Sequence, residues 1–430
     1  MFGMDITCYF GLDGNDFILN GKEHDVSAED IYGPLTTPVF GSDVIYDCPN
    51  AKLMEQKKFV KFGLTQKALE CHVPLIENEV LDYIKGTACF KGKTGAFDVT
   101  QAMSEITIFT AGRALQGQEV RSKLTNEFAD LYHDLDNGFT PINFLMPWFP
   151  LPQNRRRDAA HVKMRNLYLE IIENRRKQGN EEASDMIWNL MNCTYKSGQP
   201  VPDKEIAHMM ITMLLGGQHS SASASAWIIL RLASHPEIAE ELYQEQVNNL
   251  AQGGKLEPLQ YKDLEKLPLL QNAIKETLRL HSSIHSIMRK VKRPLPVANT
   301  PYVMTPGKVL LASPVVTALS EEFFPNPHEW DPHRWEGREN KDDDDEDGGD
   351  LAFSKGSRSP YLPFGAGRHR CIGEKFAYLN LSVIIATLVR EFQFSTVDGS
   401  RDVPPTDYTS LFSRPSQPAV VQWTRRGASL

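Results

Sequence analysis

Ten residues near the C-terminus, Phe364 to Gly373 (FGAGRHRCIG), combine the residue types and spacing most able to do chemistry. Cys371 sits in a Gly-rich loop beside Arg368, His369 and Arg370, and the loop runs straight into an apolar helical stretch, Phe376 to Val389. A thiolate there would be stabilised by backbone N–H groups, the helix N-terminus and neighbouring cations. A sulfur presented in this way can ligate haem iron and push electron density onto bound oxygen. Gly365, Gly367 and Gly373 let the backbone turn tightly and pass close to a flat macrocycle. A lone intracellular cysteine is more often a small buried hydrophobe. The surrounding pattern, rather than the residue, carries the chemistry.

A second constellation lies in the segment Asp203 to Ser234, long enough for about nine helical turns. Asp203 can cap its start, and His235-Pro236 ends it. Apolar residues surround the segment, so the helix is expected to be buried. Its middle, Gly216-Gly217-Gln218-His219-Ser220-Ser221, is a poor helix former. A local violation of that kind in a core helix points to function. His219 can relay protons near neutral pH, with Ser220 beside it. The bland alternative is a satisfied buried histidine and a serine bonded back to its own helix.

The elements that must position these residues are mostly helical. Apolar residues recur at helical spacing through Leu64–Lys85, Ala102–Ala114, Ser122–Leu135, Arg157–Lys177 and Leu264–His281. Pro and Gly break the pattern at Pro141 to Pro152, at Lys196 to Pro200 and at Gln252-Gly253-Gly254. Ile6 to Phe10 reads as a strand, and Gly11 to Gly14 as a turn. Further short strands fall around Val291, Tyr302–Met304, Val309–Leu311, Phe392–Phe394 and Val420–Trp423. The expected fold class is therefore mainly α with small β-sheets, in a single domain over 1–430 without a linker.

Composition sets the outer bounds. The net charge of −9 argues against a nucleic-acid partner. Part of it comes from 339–350 (ENKDDDDEDGGD), which reads as a solvated, disordered acidic loop. Six cysteines without paired spacing indicate no disulfide framework or zinc site, as fits a reducing compartment. No apolar run is long enough to span a bilayer, and Met1 to Phe10 lacks the pattern of a signal peptide.

The Cys371 loop resembles the haem-binding signature of the cytochrome P450 superfamily, F-x-x-G-x-[R/H]-x-C-x-G, with His369 where many members have arginine. The resemblance implies the P450 fold, with haem b held between the long central helix and the helix after the Cys loop. It makes Cys371 the axial iron ligand. Glu276 and Arg279 in the ETLR stretch, with Arg334 from DPHRW, are implied to form a buried structural triad. In P450s the central helix usually carries [A/G]-G-x-[D/E]-T; here His219 and Ser220 replace the acid and the threonine. That departure resembles the sterol 14α-demethylases, as do Tyr32 to Gly41 (YGPLTTPVFG), Val44 to Pro49 (VIYDCP) and Ile284 to Ile287 (IHSI).

The same resemblance places Tyr32, Tyr46, Lys57, Arg289 and His369 at the haem propionates. It places Leu35, Thr36, Phe40, Ile45, Gly216, Gly217, Ile287, Met288 and Leu411 at the substrate, with Tyr32 to Gly41 as a loop over it. The cavity so lined is largely apolar and suits a flat ligand with one hydroxyl. The implied activity is removal of the 14α-methyl group of lanosterol or eburicol in ergosterol biosynthesis. Three oxygenations would use O2 and electrons from NADPH, through NADPH–cytochrome P450 reductase at the endoplasmic reticulum membrane. Azoles would compete for the cavity. The resemblance implies a membrane anchor, a hinge and a first helix and strand ahead of the core, and Met1 to Phe10 reads as starting beyond them. Two alternatives stand beside an active demethylase: a paralogue with another substrate in secondary metabolism, and a haem- or azole-binding resistance copy with little turnover.

Overall fold

An apolar surface all round one helix demands neighbours on every side, and this requirement organises the molecule. The computed structural model describes residues 5–124, 126–178, 185–337, 356–409 and 412–427. The acidic loop 339–350 and Leu411 lie outside them. The helices used below are α1 (Leu12–Leu19), α2 (Glu29–Phe40), α3 (Asn50–Phe62), α4 (Gln66–Gly86), α5 (Val99–Ala111), α6 (Asn126–Asp136), α7 (Pro152–Gln178), α8 (Asp203–Ser234), α9 (Pro236–Leu250), α10 (Pro268–Leu280) and α11 (Glu374–Glu391). Helix α8 runs through the centre, packed most extensively on α5 and also on α7, α10 and α11. Every residue from Ser223 to Leu230 is buried, Trp227 and Ile228 completely.

The small sheets lie at the edges. Ile6–Cys8, Val26–Ser27, Ile287–Val291 and Val309–Ala312 form one four-stranded sheet, in which Ile6 pairs parallel with Val309 and Met288 antiparallel with Leu311. Thr94–Asp98 and Phe392–Thr396 flank Val420–Arg425 in a second, antiparallel sheet. The mainly helical class and the expected strands are thus observed.

Four local expectations need correction. Gly11 to Gly14 is not a turn: Gly11, at φ 89°, leads into α1, and Asn15 N–H donates to its carbonyl at 3.0 Å. Gly14 serves close approach instead, since a Cβ there would lie 2.1 Å from the Tyr9 carbonyl oxygen. Tyr32 to Phe40 is helix rather than loop, despite Pro34 and Pro38. Proline inside a helix costs about 3 kcal/mol, offset here by burial of Leu35, Val39 and Phe40. The stretch 264–281 divides at Pro268, whose missing N–H suits the first turn of a new helix: Tyr261–Lys266 is 3₁₀ and α10 follows. Pro202, not Asp203, occupies the N-cap of α8; Asp203 is the first helical residue and pairs with Arg176.

Candidate functional site

The Cys loop is pinned from several directions. Cys371 N–H closes it by donating to the Phe364 carbonyl at 3.0 Å. Lys57, on α3, donates to the carbonyls of Arg368 (2.7 Å) and Arg370 (3.0 Å). Arg370 pairs with Glu374 in the first turn of α11. Gly367, at φ 67°, has its Cα against the end of α1: a Cβ would lie 2.2 Å from the Leu19 carbonyl oxygen. The close approach expected at Gly367 is therefore to protein backbone.

Cys371 is exposed although protein surrounds it, and burial pushes its thiol pKa up while the Gly373 N–H, Lys57 and Arg370 pull it down. The expected stabilisers of a thiolate are present, but desolvation outweighs them in the free thiol. The middle of α8 borders open space. Gly216 is exposed beside the buried Leu214, Leu215 and Gln218, and neither it nor Gly217 would bring a Cβ within 4 Å of an atom outside the adjoining helix backbone.

Polar groups converge beside the loop. The rings of Tyr32 and Tyr46 lie 5.2 Å apart, and Tyr46 lies 5.4 Å from His369. Tyr32 Oη accepts the Met288 N–H at 2.9 Å. Burial raises both phenols, Tyr46 to about 12. Arg289 is only 2 % exposed; it donates to the Met288 carbonyl, and no carboxylate among the described residues lies within ion-pair distance. Burial lowers its pKa and that of Lys57, the latter to about 8. His369 faces Glu29 at 3.3 Å and accepts from Arg368 Nε at 3.0 Å. Burial works against ionisation of Glu29, yet His369 and Arg368 bring its pKa down to about 2. A buried, unpaired arginine beside two neutral phenols can hold a flat group carrying carboxylates.

On α8, His219 Nε2 lies 2.9 Å from Asp136 Oδ1 and 3.0 Å from Tyr132 Oη, both on α6. Its ring stacks on Phe412 at 5.1 Å. Tyr132 Oη also donates to Gln218, whose Nε2 donates to Ser104 Oγ on α5 at 2.7 Å. This network fixes the imidazole where the helix opens. Ser220 Oγ donates to the Gly216 carbonyl at 3.2 Å, so its hydroxyl is satisfied within its own helix. Sequence reasoning misses Asp136, Tyr132 and Glu29. The i, i+4 spacing of Tyr132 and Asp136 is the one signal that puts them on a common helix face.

The apolar residues expected at a substrate fall into two groups. Phe40 packs on Phe139 at 5.6 Å, which in turn meets Phe412 edge-on at 5.8 Å, so Phe40 belongs with the His219 region. Ile287 Cδ1 would lie 3.8 Å from a Cβ at Gly365, so Ile287 borders the Cys loop, while Met288, the next residue of the strand, packs against Ala28, Ile31 and Tyr32 instead. Leu35 is buried, and Thr36 Oγ1 donates to the Tyr32 carbonyl. Ile45 sits at φ 45°, a strained conformation for a β-branched residue. The triad residues meet as expected. Glu276 pairs with Arg279 (2.7 Å) and Arg334 (2.8 Å), and the carboxylate and both guanidiniums are buried.

Comparisons with known proteins agree with this geometry. Residues 4–423 match the cytochrome P450 family. A sterol 14-alpha demethylase of Aspergillus flavus is 67% identical over 99% of this chain and 84% of its own length. The eburicol 14-alpha-demethylase of Penicillium italicum is 61% identical, again over 99% and 84%. In fold, the chain resembles the retinoic acid bound cyanobacterial CYP120A1, with a TM-score of 0.80 at 19% identity, covering 99% of this chain and 90% of the other. A match over residues 4–423, with relatives 61% and 67% identical over 99% of this chain, places this protein in the cytochrome P450 family.

Proposed function

We propose that this protein is a haem-thiolate monooxygenase that removes the 14α-methyl group of a sterol of the lanosterol or eburicol type. The observation that carries this reading is His219, tied to Asp136 beside the exposed Gly216 of α8, in a chain 67% identical to a sterol 14-alpha demethylase. Each of three rounds would consume one O2 and one NADPH, and the methyl carbon would leave as formate.

Haem b fits the residues present. Cys371 has the accessible sulfur, and Arg289, Tyr32, Tyr46, Lys57 and His369 form the polar edge that would hold two propionates. When bound, the haem supplies the oxygen-activating chemistry. The protein's part is then positional and protonic. The Arg279–Glu276–Arg334 unit holds the segments that flank the Cys loop. Phe40, Phe139 and Phe412 exclude water near His219, while Leu35, Ile45, Ile287 and Met288 offer apolar surface to a sterol. Asp136, one-third exposed, can pass protons from solvent to His219 Nε2. His219 Nδ1 has no protein partner among the described residues and is left to deliver them.

Membrane association accords with an exposed apolar stretch, Ile142, Met146, Trp148 and Phe149, in which Trp148 is 75% exposed. No helix among the described residues is long and apolar enough to cross a membrane. We place the protein at the cytosolic face of the endoplasmic reticulum, receiving electrons from NADPH–cytochrome P450 reductase and open to azole inhibitors.

Reconstitution tests the reading. Haem-loaded protein with a reductase, NADPH and eburicol is expected to yield a 14-demethylated sterol and formate in equal amounts by mass spectrometry. Loaded protein that leaves both eburicol and lanosterol intact while it oxidises another substrate would overturn it in favour of a secondary-metabolism paralogue. Azole binding without turnover of any substrate would leave only a resistance copy.

A further inference from the structure

We propose that a cavity between α2, α7 and α8, apart from the site above, binds a small oxyanion: a phosphate, either free or carried on a lipid headgroup. The cavity has a volume of about 290 Å3 and opens between Thr37 and Ser42 on one side and α7 and the start of α8 on the other. Its lining gathers four nitrogen-bearing side chains, His161 and Arg165 from α7 and Lys204 and His208 from α8.

These groups are under-used by the protein itself. Lys204 Nζ donates to Ser42 Oγ at 3.0 Å, and Arg165 has one weak side-chain contact, to Asn166 Oδ1 at 3.3 Å. Neither has an ion-pair partner among the described residues, and Arg165 Nε is buried with no hydrogen-bond partner. His161 and His208 lie with ring centroids 5.2 Å apart. Each directs Nδ1 at a backbone carbonyl, Val39 at 3.0 Å and Ser42 at 2.8 Å, which fixes Nδ1 as the donor. His208 is only 1% exposed, and its Nε2 is buried without a partner. Leaving a buried polar atom unpaired is costly, so the imidazole is held for a partner that the described residues do not supply.

The surrounding backbone is shaped to this arrangement. Gly41 adopts φ 99°, and a Cβ there would lie 2.4 Å from the His208 ring. The charge balance decides the class of ligand. The one carboxylate on the lining, Asp158, is bound by Arg157 at 2.7 Å. Two fixed cations and two chargeable imidazoles therefore disfavour a metal ion and favour an anion. Burial lowers the pKa of both histidines, and Lys204 and Arg165 lower them further; the Val39 and Ser42 carbonyls, and Asp158 at His161, act in the opposite direction. An oxyanion between them favours protonation, so its binding should tighten as pH falls below neutral.

The full-length protein and a Lys204→Met/Arg165→Met double variant distinguish the outcomes, because both side chains sit at the cavity rim and are not core residues. Inorganic phosphate should titrate the parent as one saturable site, tighter at pH 6 than at pH 8, and bind the double variant at least tenfold more weakly. A second arm measures co-sedimentation with phosphatidylcholine vesicles with and without phosphatidic acid. Preference for phosphatidic acid, lost in the variant and without a phosphate isotherm, assigns the site to a lipid headgroup. Indistinguishable behaviour of parent and variant in both arms overturns the proposal.

Discussion

Replacing Glu276 with alanine is expected to destabilise the protein by about 3–5 kcal/mol, the cost of removing one member of a buried ion-pair set. That loss is a large share of the roughly 5–15 kcal/mol that holds a domain folded. Both Glu276 oxygens are fully committed. Oε1 accepts from Arg279 Nη2, Arg334 Nε and the Asp331 N–H, and Oε2 accepts from Arg279 Nε and Trp335 Nε1. The guanidiniums are otherwise held by neutral groups: the Ala318, Pro327 and Glu329 carbonyls and the Phe324 ring for Arg279, and the Pro325, Asn326 and Glu329 carbonyls for Arg334. Without the carboxylate, two cations remain buried with no counter-charge. Glu276→Gln fares little better, because its amide N–H groups would face donors. Denaturant melts of parent and variants provide the measurement, and a Glu276→Ala loss below about 1 kcal/mol would contradict a structural role for the triad.

His219→Ala is expected to lower product formation by 10²- to 10⁴-fold, the usual worth of a positioned proton-transfer group. Asp136→Asn should follow in the same direction, since the amide keeps the contact at Nε2 but cannot carry the proton. A merely structural role for His219 would predict something different: weaker sterol binding and a lower melting temperature, with turnover per bound sterol kept. The diagnostic readout is coupling. In the variant, NADPH oxidation should continue while demethylated product falls, and the solvent isotope effect on product formation should rise. Unchanged coupling with reduced sterol affinity would assign His219 to packing against Phe412 instead.

Much of this architecture is legible in the amino-acid sequence. The boundaries of α8 follow from its apolar periodicity and from His235-Pro236, and the Cys371 loop from residue types fixed at several positions. The Glu276–Arg279 pair lies one turn apart and so shows locally. What stays hidden depends on tertiary partners. Asp136 and Tyr132 reach His219 across a large sequence separation, 87 residues for Tyr132, and nothing near His219 announces them. Resemblance makes Tyr32 to Gly41 a loop, and Pro34 and Pro38 give local propensity no means of correcting it; only burial of Leu35, Val39 and Phe40 against the core makes it helix. The cavity between α2, α7 and α8 is hidden for the same reason: its histidines look like single buried residues until α7 and α8 bring their rings together.

Everything assigned to the site requires a bond between the Cys371 sulfur and iron. X-ray absorption at the iron edge of haem-loaded protein measures that bond directly. The parent should show one sulfur scatterer in the first coordination shell, and Cys371→Ala should lack it. An unchanged iron–sulfur signal in the Cys371→Ala protein would contradict the account.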